Sequence, residues 1–363
     1  MPSEDALEEG QGHSNGPLYN FKLLRIGTTL HLEGSKRDGL YFFEMNAMTQ
    51  HITPTTTTFI GAVGNKLIAD VFGDSGSPIL LLHGGGQTRH AWTKTAETLA
   101  RKGHMAYALD QRGHGDSDWV ADDGYGFFDY AADAKAVAAE LTRRSGVKPI
   151  VIGASLGGIA SLLAEGEFER DKGGDVFSAL VLVDITPRVD QSGVANILGF
   201  MRAHAEEGFA SIADAAQAVA DYLPQRPRPK SNDGLKKNLR LSPDGRWRWH
   251  WDPRFLDGRR ETGADRRALE AALIEAARRI QIPTLLVRGA SSELVKEAHA
   301  KEFLALVPHA DYVDVSGARH MVAGDRNDHF SGAVLSFIGR LSTAARFQAA
   351  RMTQKIDVPA SQA

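Results

Sequence analysis

The stretch Ile150-Val151-Ile152-Gly153-Ala154-Ser155-Leu156-Gly157-Gly158 limits what this chain can fold into more than any other. An apolar run of strand length leads into Ser155, which has glycine two residues before it and two residues after it. The spacing predicts a buried strand, a tight turn and then a helix. A serine at the tip of so sharp a turn needs neighbours without side chains, because strand and helix must approach closely. A helix starting at Leu156 would aim its N-terminal amides at any negative charge forming beside Ser155. The bland alternative is a glycine-rich turn that only packs. The rest of the chain decides between the two.

A length of 363 residues suits one large α/β domain with an insertion. A formal net charge of −3 advertises no basic surface, which argues against nucleic acid and anionic membrane as partners. The absence of cysteine excludes disulfides, thiolate metal sites and a cysteine nucleophile. No apolar run reaches the roughly 18–20 residues of a membrane span. The start, Met1-Pro2-Ser3-Glu4-Asp5, is acidic and unlike a secretory signal, so a cytoplasmic location is the expectation.

Residues 1–57 do not read as part of a packed domain. Residues 1–17 are polar and rich in Gly, Glu and Ser, the composition of a disordered segment. Two short apolar pieces follow, Phe21 to Leu32 and Leu40 to Met45. Either Met48 is the natural start, or residues 1–47 form an arm that packs on the body or on a second copy in a homo-oligomer. From Thr58 the pattern turns regular. Phe59 to Val63 and Lys66 to Phe72 flank Gly64-Asn65 as a hairpin. Then come a buried strand at Ile79 to Leu82, a helix at Ala91 to Lys102, a strand at His104 to Leu109, an alanine-rich helix at Phe127 to Arg144, the strand into Ser155, a helix from Leu156 to Glu165, and a strand at Ala179 to Val183. Such alternation implies right-handed crossovers and a mostly parallel, doubly wound sheet with helices on both faces. It stops after Asp184. Residues 185–281, with the stiff Pro224-to-Pro229 linker, read as a helical cap inserted between two core strands. The core resumes over 282–341, with strands at Thr284 to Val287 and Tyr312 to Val315 and helices at Lys296 to Leu306 and Asn327 to Leu341. The tail 342–363 reads as loose. The first part of the core is thus 58–184.

Sites in such sheets form outside the C-terminal ends of the strands. His83-Gly84-Gly85-Gly86, Ser155, Glu293 and His320 all fall there. A hydrolytic serine needs a base, and a neutral imidazole titrates near the right pH, which suits His320. The base needs an acid to orient it and to stabilise its charged form. Glu293 is favoured and Asp184 is the alternative. Both keep the chain order serine, acid, histidine. The Gly85 amide, with Gly86 as alternative, would join the Leu156 amide in an oxyanion hole, each donor contributing roughly 3–4 kcal/mol in the transition state. His83 reads as structural.

The loop Gly113-His114-Gly115-Asp116-Ser117 has neither metal-ligand spacing nor a dinucleotide fingerprint, so no metal and no cofactor are expected. In the cap, Trp247, Trp249 and Trp251 alternate with Arg246, Arg248 and His250. If extended, the tryptophans share one face. They form either an aromatic wall over an apolar substrate, with His250 beside it, or the glue between cap and core.

Together these residues resemble the α/β-hydrolase superfamily over about residues 58–341. The resemblance is carried by Leu82-His83-Gly84-Gly85-Gly86, by Asp110-Gln111-Arg112-Gly113-His114-Gly115-Asp116-Ser117, by Gly153-Ala154-Ser155-Leu156-Gly157-Gly158, by Arg288-Gly289 leading to Glu293, and by Gly317-Ala318-Arg319-His320. It is closest to the capped branch with a serine nucleophile, which holds esterases, lactonases, perhydrolases and carbon–carbon bond hydrolases. Serine at the elbow disfavours epoxide hydrolase and dehalogenase chemistry, which in this superfamily uses aspartate there. Glutamate at the acid position also departs from the commoner aspartate. The resemblance implies a serine hydrolase acting on a small or medium ester or lactone through an acyl-enzyme, and the cap aromatics point to a fairly apolar one. The alternatives are a carbon–carbon bond hydrolase of diketones and a ligand receptor that keeps the triad without turnover.

Overall fold

The computed structural model describes the backbone strands within residues 9–44, and residues 52–356 apart from 122–123, 167–173, 227, 230 and 258–262. The chain forms two compact units, Met1–Thr53 and Pro54–Ala363. In the first, β1 (Glu9–Gly10), β2 (Phe21–Ile26), β3 (Thr29–Lys36) and β4 (Gly39–Glu44) make an antiparallel sheet in that order. The two apolar pieces are therefore sheet strands, a correction to the loose segment expected over 1–57. Register pairs Leu23 with Leu32 and Leu32 with Phe43 across three strands. Residues 1–8, 11–20 and 45–51, including most of the segment expected to be disordered and Met48, lie outside the described residues.

The second unit begins with a hairpin of β5 (Thr55–Ile60) and β6 (Lys66–Phe72). Its turn falls over residues 61–65, earlier than the Gly64-Asn65 reading, and the threonine run is inside β5. The cause is tertiary. Asp133 accepts from Ala62 N at 2.8 Å and from Asn65 Nδ2 at 3.2 Å, which fixes the turn on a helix far along the chain. Next come β7 (Pro78–Leu82), α1 (Thr93–Arg101), β8 (Met105–Leu109), α2 (Phe127–Ser145), β9 (Ile150–Ala154), α3 (Leu156–Gly166) and β10 (Ala179–Val183). The cap follows as α4 (Gln191–Ala203), α5 (Ile212–Tyr222), α6 (Asp233–Lys236), a ribbon of β11 (Leu239–Leu241) and β12 (Trp247–Trp249), and α7 (Arg254–Asp257). The chain then runs through α8 (Gly263–Arg279), β13 (Thr284–Gly289), α9 (Glu297–Leu306), β14 (Asp311–Val315), α10 (Val322–Asp325) and α11 (Asn327–Ile356).

The sheet has eight strands in the order β14-β13-β10-β9-β7-β8-β6-β5. From β7 to β14 all neighbours are parallel, and β5 and β6 are the antiparallel edge. Central strands β7 and β10 are buried along their whole length. That is why they read as unbroken apolar runs. Chain direction reverses about β7, whose neighbours are β8 on one side and β9 on the other. This topological switch opens a crevice at the C-terminal strand ends.

Two boundaries differ from the sequence reading. The cap ends before α8, because Leu273, Ala276, Ala277 and Ile280 belong to the main core cluster with Leu162 and Leu163 of α3. Their helical spacing buries one face of α8 on the sheet layer. At the other end, α11 continues to Ile356, beyond the expected stop at Leu341.

Candidate active site

The strand β9 delivers Ser155, and the steric demand of the turn is visible in the backbone. A β-carbon on Gly153 would collide with Gly157 O, and one on Gly157 would collide with Leu82 O. Only glycine lets strand, helix and the neighbouring β7 come so close. Gly157 N donates to His83 O at 3.1 Å, and Ser155 N donates to Val183 O at 3.3 Å. Among the described residues, Ser155 (φ 47°) and Asp184 (φ 50°) are the two non-glycine residues with positive φ. Such conformations cost on the order of 1–3 kcal/mol each and gather at functional sites. They stand at one level, since Ala154 pairs with Val183 in register and each strained residue comes next.

Asp184 is fully buried. Its Oδ1 accepts from Gly289 N at 2.9 Å. Its Oδ2 accepts from Ser292 Oγ at 2.6 Å and from His320 Nδ1 at 2.7 Å. The histidine partner is therefore Asp184, which corrects the preference for Glu293. The reason lies in the loop after β13. Ser292 Oγ accepts from Leu294 N and Val295 N at 3.1 and 3.0 Å, and this cap turns the chain so that Glu293 faces outward. The Glu293 carboxylate meets Arg319 at 3.4 Å instead. Arg319 in turn reaches Gln225 of the cap at 2.6 Å. His320 thus offers Nε2 to the crevice, with Nδ1–H committed to Asp184. Ser155 Oγ makes no hydrogen bond among the described residues.

The turn after β7 faces the serine. A β-carbon on Gly84 would lie 3.4 Å from Ser155 Cβ. Gln87 shapes this turn by accepting from Gly84 N at 3.0 Å while its Nε2 contacts Met321 Sδ at 3.3 Å. Gly86 N is used by His114 Nε2 at 3.1 Å. The Gly85 and Leu156 amides remain without a partner among the described residues. Of the two glycines weighed from sequence, Gly85 is the one with an amide to offer. His83 is fully buried; its Nε2 accepts from Gln111 N and its Nδ1–H donates to Gly84 O. Burial pushes its imidazole down and keeps it neutral. It holds the turn.

Sequence reasoning missed His114. Its loop is anchored by Asp110, whose carboxylate accepts from Arg89 N at 2.6 Å and Asp116 N at 2.9 Å and forms an ion pair with the Arg89 guanidinium. That buried ion pair fixes the loop, the loop fixes His114, and His114 fixes the turn after β7. Ser292 was also missed. A serine that both caps a turn and donates to the acid has no sequence signature beyond its place after a strand.

The cap tryptophans separate. Trp249 packs edge-on to Phe209 at 5.2 Å and beside Phe200, in a cluster that joins cap residues to Tyr130 of α2 and to Leu156 and Ala160 of α3. Trp247 is half-buried against the same cluster and pairs through its backbone with Phe209. His250 faces Asp116 at 3.7 Å, and burial lowers its pKa. Trp247 and Trp249 thus fit the second of the two readings, glue between cap and core. Trp251 differs, since a β-carbon on Gly86 would lie 3.7 Å from its Nε1 and 2.6 Å from Met201 Cε. Met201 on α4 and Trp251 therefore cover the turn after β7 at Gly86.

A separate groove of about 720 Å³ opens between α4 and α5, lined by Phe200, His204, Asp214, Gln217 and Tyr222 among others. Phe200 and Tyr222 stack there at 4.2 Å. Burial and the charge of Glu293 raise the pKa of the Tyr222 hydroxyl. Among the described residues no cluster of His, Asp and Glu could hold a metal ion, and no helix is long and apolar enough to cross a membrane.

A family model described as the alpha/beta hydrolase fold matches residues 77–326. The chain is 27% identical over 267 residues to the esterase Rv0045c of Mycobacterium tuberculosis, covering 70% of this chain and 80% of that protein. It is 30% identical over 215 residues to the 2-(acetamidomethylene)succinate hydrolase of Mesorhizobium japonicum, covering 59% of this chain and 71% of that protein. Among solved structures, an E-2-(acetamidomethylene)succinate hydrolase matches with a TM-score of 0.67 at 24% identity, over 79% of this chain and 99% of that one. At that identity the structural likeness speaks to the fold.

Proposed function

Because the chain belongs to the α/β-hydrolase fold family, and because its strand ends gather a strained serine, a carboxylate-bound histidine and two unpaired amides, we propose that it is a serine hydrolase cleaving a carboxylic ester or lactone. The single observation that carries the reading is the 2.7 Å contact of His320 Nδ1 with buried Asp184. A histidine fixed in that tautomer presents Nε2 as a base, and a buried carboxylate stabilises the imidazolium that follows. Ser155 Oγ attacks the carbonyl carbon as His320 Nε2 takes its proton. The carbonyl oxygen becomes an oxyanion held by the Gly85 and Leu156 amides, each contributing about 3 kcal/mol to the transition state. Collapse breaks the bond to the leaving oxygen, which receives the proton from His320. Water, deprotonated by His320, then attacks the acyl-enzyme and frees the acid and Ser155. The substrate is a small molecule, small to medium in size and largely apolar, in keeping with Met201 and Trp251 over the turn. The esterase and hydrolase names of the relatives support the same reaction class.

A panel of p-nitrophenyl esters, lactones and a vinylogous diketone tests the reading on the purified protein. Ester or lactone hydrolysis is expected, with Ser155→Ala lowering kcat on the order of 10⁶-fold. Undiminished turnover by Ser155→Ala, diketone cleavage without ester cleavage, or tight binding without turnover would each overturn it.

A further inference from the structure

The Trp251 ring is fixed from several sides. Gly115 N donates to His250 O at 2.7 Å and Asp252 N to Gly113 O at 2.8 Å, so the backbone about Trp251 is stitched to the His114 loop. The indole meets Phe255 edge-on at 5.2 Å and is 2% exposed. Trp92 Nε1 and Trp249 Nε1 are sealed inside the protein without a hydrogen-bond partner. Trp251 Nε1 also has no partner among the described residues, yet it is not sealed. It lies 3.7 Å from where a β-carbon on Gly86 would stand, on the turn whose Gly84 faces Ser155. A rigid, desolvated donor that faces a binding crevice is matched only when a ligand brings an acceptor.

We propose that Trp251 Nε1–H determines specificity by donating a hydrogen bond to an oxygen on the acyl part of the substrate. The favoured substrates are then esters whose acyl chain carries a hydroxyl or keto oxygen close to the scissile carbonyl, set in an otherwise apolar pocket. The proposal rests on Ser155 being the nucleophile. The oxyanion has its own donors in Gly85 and Leu156, whereas Trp251 Nε1 stands over Gly86, whose amide is turned to His114. One residue along the turn is a step of about 3.8 Å, which suits an oxygen two or three bonds from the carbonyl carbon. Met201, the other group over Gly86, supplies only methyl and thioether surface. A plain hydrocarbon chain there leaves the indole N–H unmatched. A site built around a donor discriminates against such analogues more sharply than an apolar pocket does.

Methyl 3-hydroxybutanoate and methyl 3-methylbutanoate differ by hydroxyl against methyl and test this on Ser155→Ala, which binds without cleaving. The chain has five tryptophans, so ¹⁵N-labelled protein gives one indole N–H signal for each, and the signal lost in Trp251→Phe is that of Trp251. At least one enantiomer of the hydroxy ester is expected to shift that signal and to bind about 10-fold tighter than its methyl isostere, the worth of one hydrogen bond to a buried donor. Trp251→Phe should bring the two affinities together. Benzothienylalanine at position 251, which keeps the ring and lacks the N–H, makes the same comparison if phenylalanine disturbs the cap. Equal affinities and an unmoved Trp251 signal, while the wild type hydrolyses both esters, would overturn the proposal and leave the hydrolase reading standing. A shifted signal and a preference for the hydroxy ester, with no turnover of either by the wild type, would uphold the Trp251 donor and overturn the hydrolase reading.

Discussion

The strand ends of the sheet and the cap above them are built on different principles. At the strand ends the main chain sets position. Ser155 and Asp184 follow adjacent strands in register, both in the left-handed region, and the loop after β13 closes on Asp184 through Gly289 N and Ser292 Oγ. In the cap, side-chain packing sets position. Three tryptophans two residues apart join one apolar cluster from different directions, because β12 covers only Trp247 to Trp249 and the chain bends before Trp251. The comparison teaches that ladder hydrogen bonds place Ser155 and Asp184, while side-chain contacts place the residues of the cap.

The two acids near His320 offer the sharpest way to break that comparison. Asp184→Asn keeps the shape but removes the charge and disturbs the histidine tautomer, so kcat should fall on the order of 10⁴-fold. A loss under tenfold would show that main-chain placement does not choose the acid.

A second effect, in stability, belongs to the far end of α3. Glu165 is buried and accepts from Val176 N and Phe177 N at 3.1 and 3.0 Å. Burial raises its carboxyl from 4.5 to about 7. With the folded value above the unfolded one, its contribution to stability is fully present below about pH 4.5 and is lost as pH rises through about 7. The span corresponds to roughly 3 kcal/mol. Denaturant unfolding at pH 5 and pH 8 should show this fall, and Glu165→Gln should flatten it. An unchanged slope in the variant would assign the pH dependence elsewhere.

The smallest effect is expected at Glu293. Its partner Arg319 is partly exposed, and such pairs contribute about 0–1 kcal/mol. Glu293→Gln should change kcat less than fivefold, with any change in KM reporting the link through Arg319 to Gln225 of the cap.

Much of the site could be read without coordinates because it follows from sterics and chain order. Gly153 and Gly157 bracket Ser155 since no larger residue fits, and His320 follows the last strand. The acid could not be chosen that way, because the choice depends on which loop folds inward. A usable signal was present: Asp184 follows the apolar strand β10 without a spacer, as Ser155 follows β9, whereas Glu293 lies four residues past Gly289. The spacing of Leu269, Leu273, Ala276, Ala277 and Ile280 likewise marked α8 as a core helix rather than cap. The bend before Trp251 and the His114 bond to Gly86 N arise from contacts between distant segments, which no local pattern carries.

The central claim, that Asp184 acts through His320 to make Ser155 nucleophilic, needs no known substrate to test. The measurement is the rate of fluorophosphonate labelling, with the modified residue mapped by mass spectrometry, in the wild type, Asp184→Asn and Glu293→Gln. The expected result is rapid labelling of Ser155 in the wild type and Glu293→Gln, with labelling in Asp184→Asn slower by orders of magnitude. Equal rates in all three, or an adduct on another residue, would contradict it.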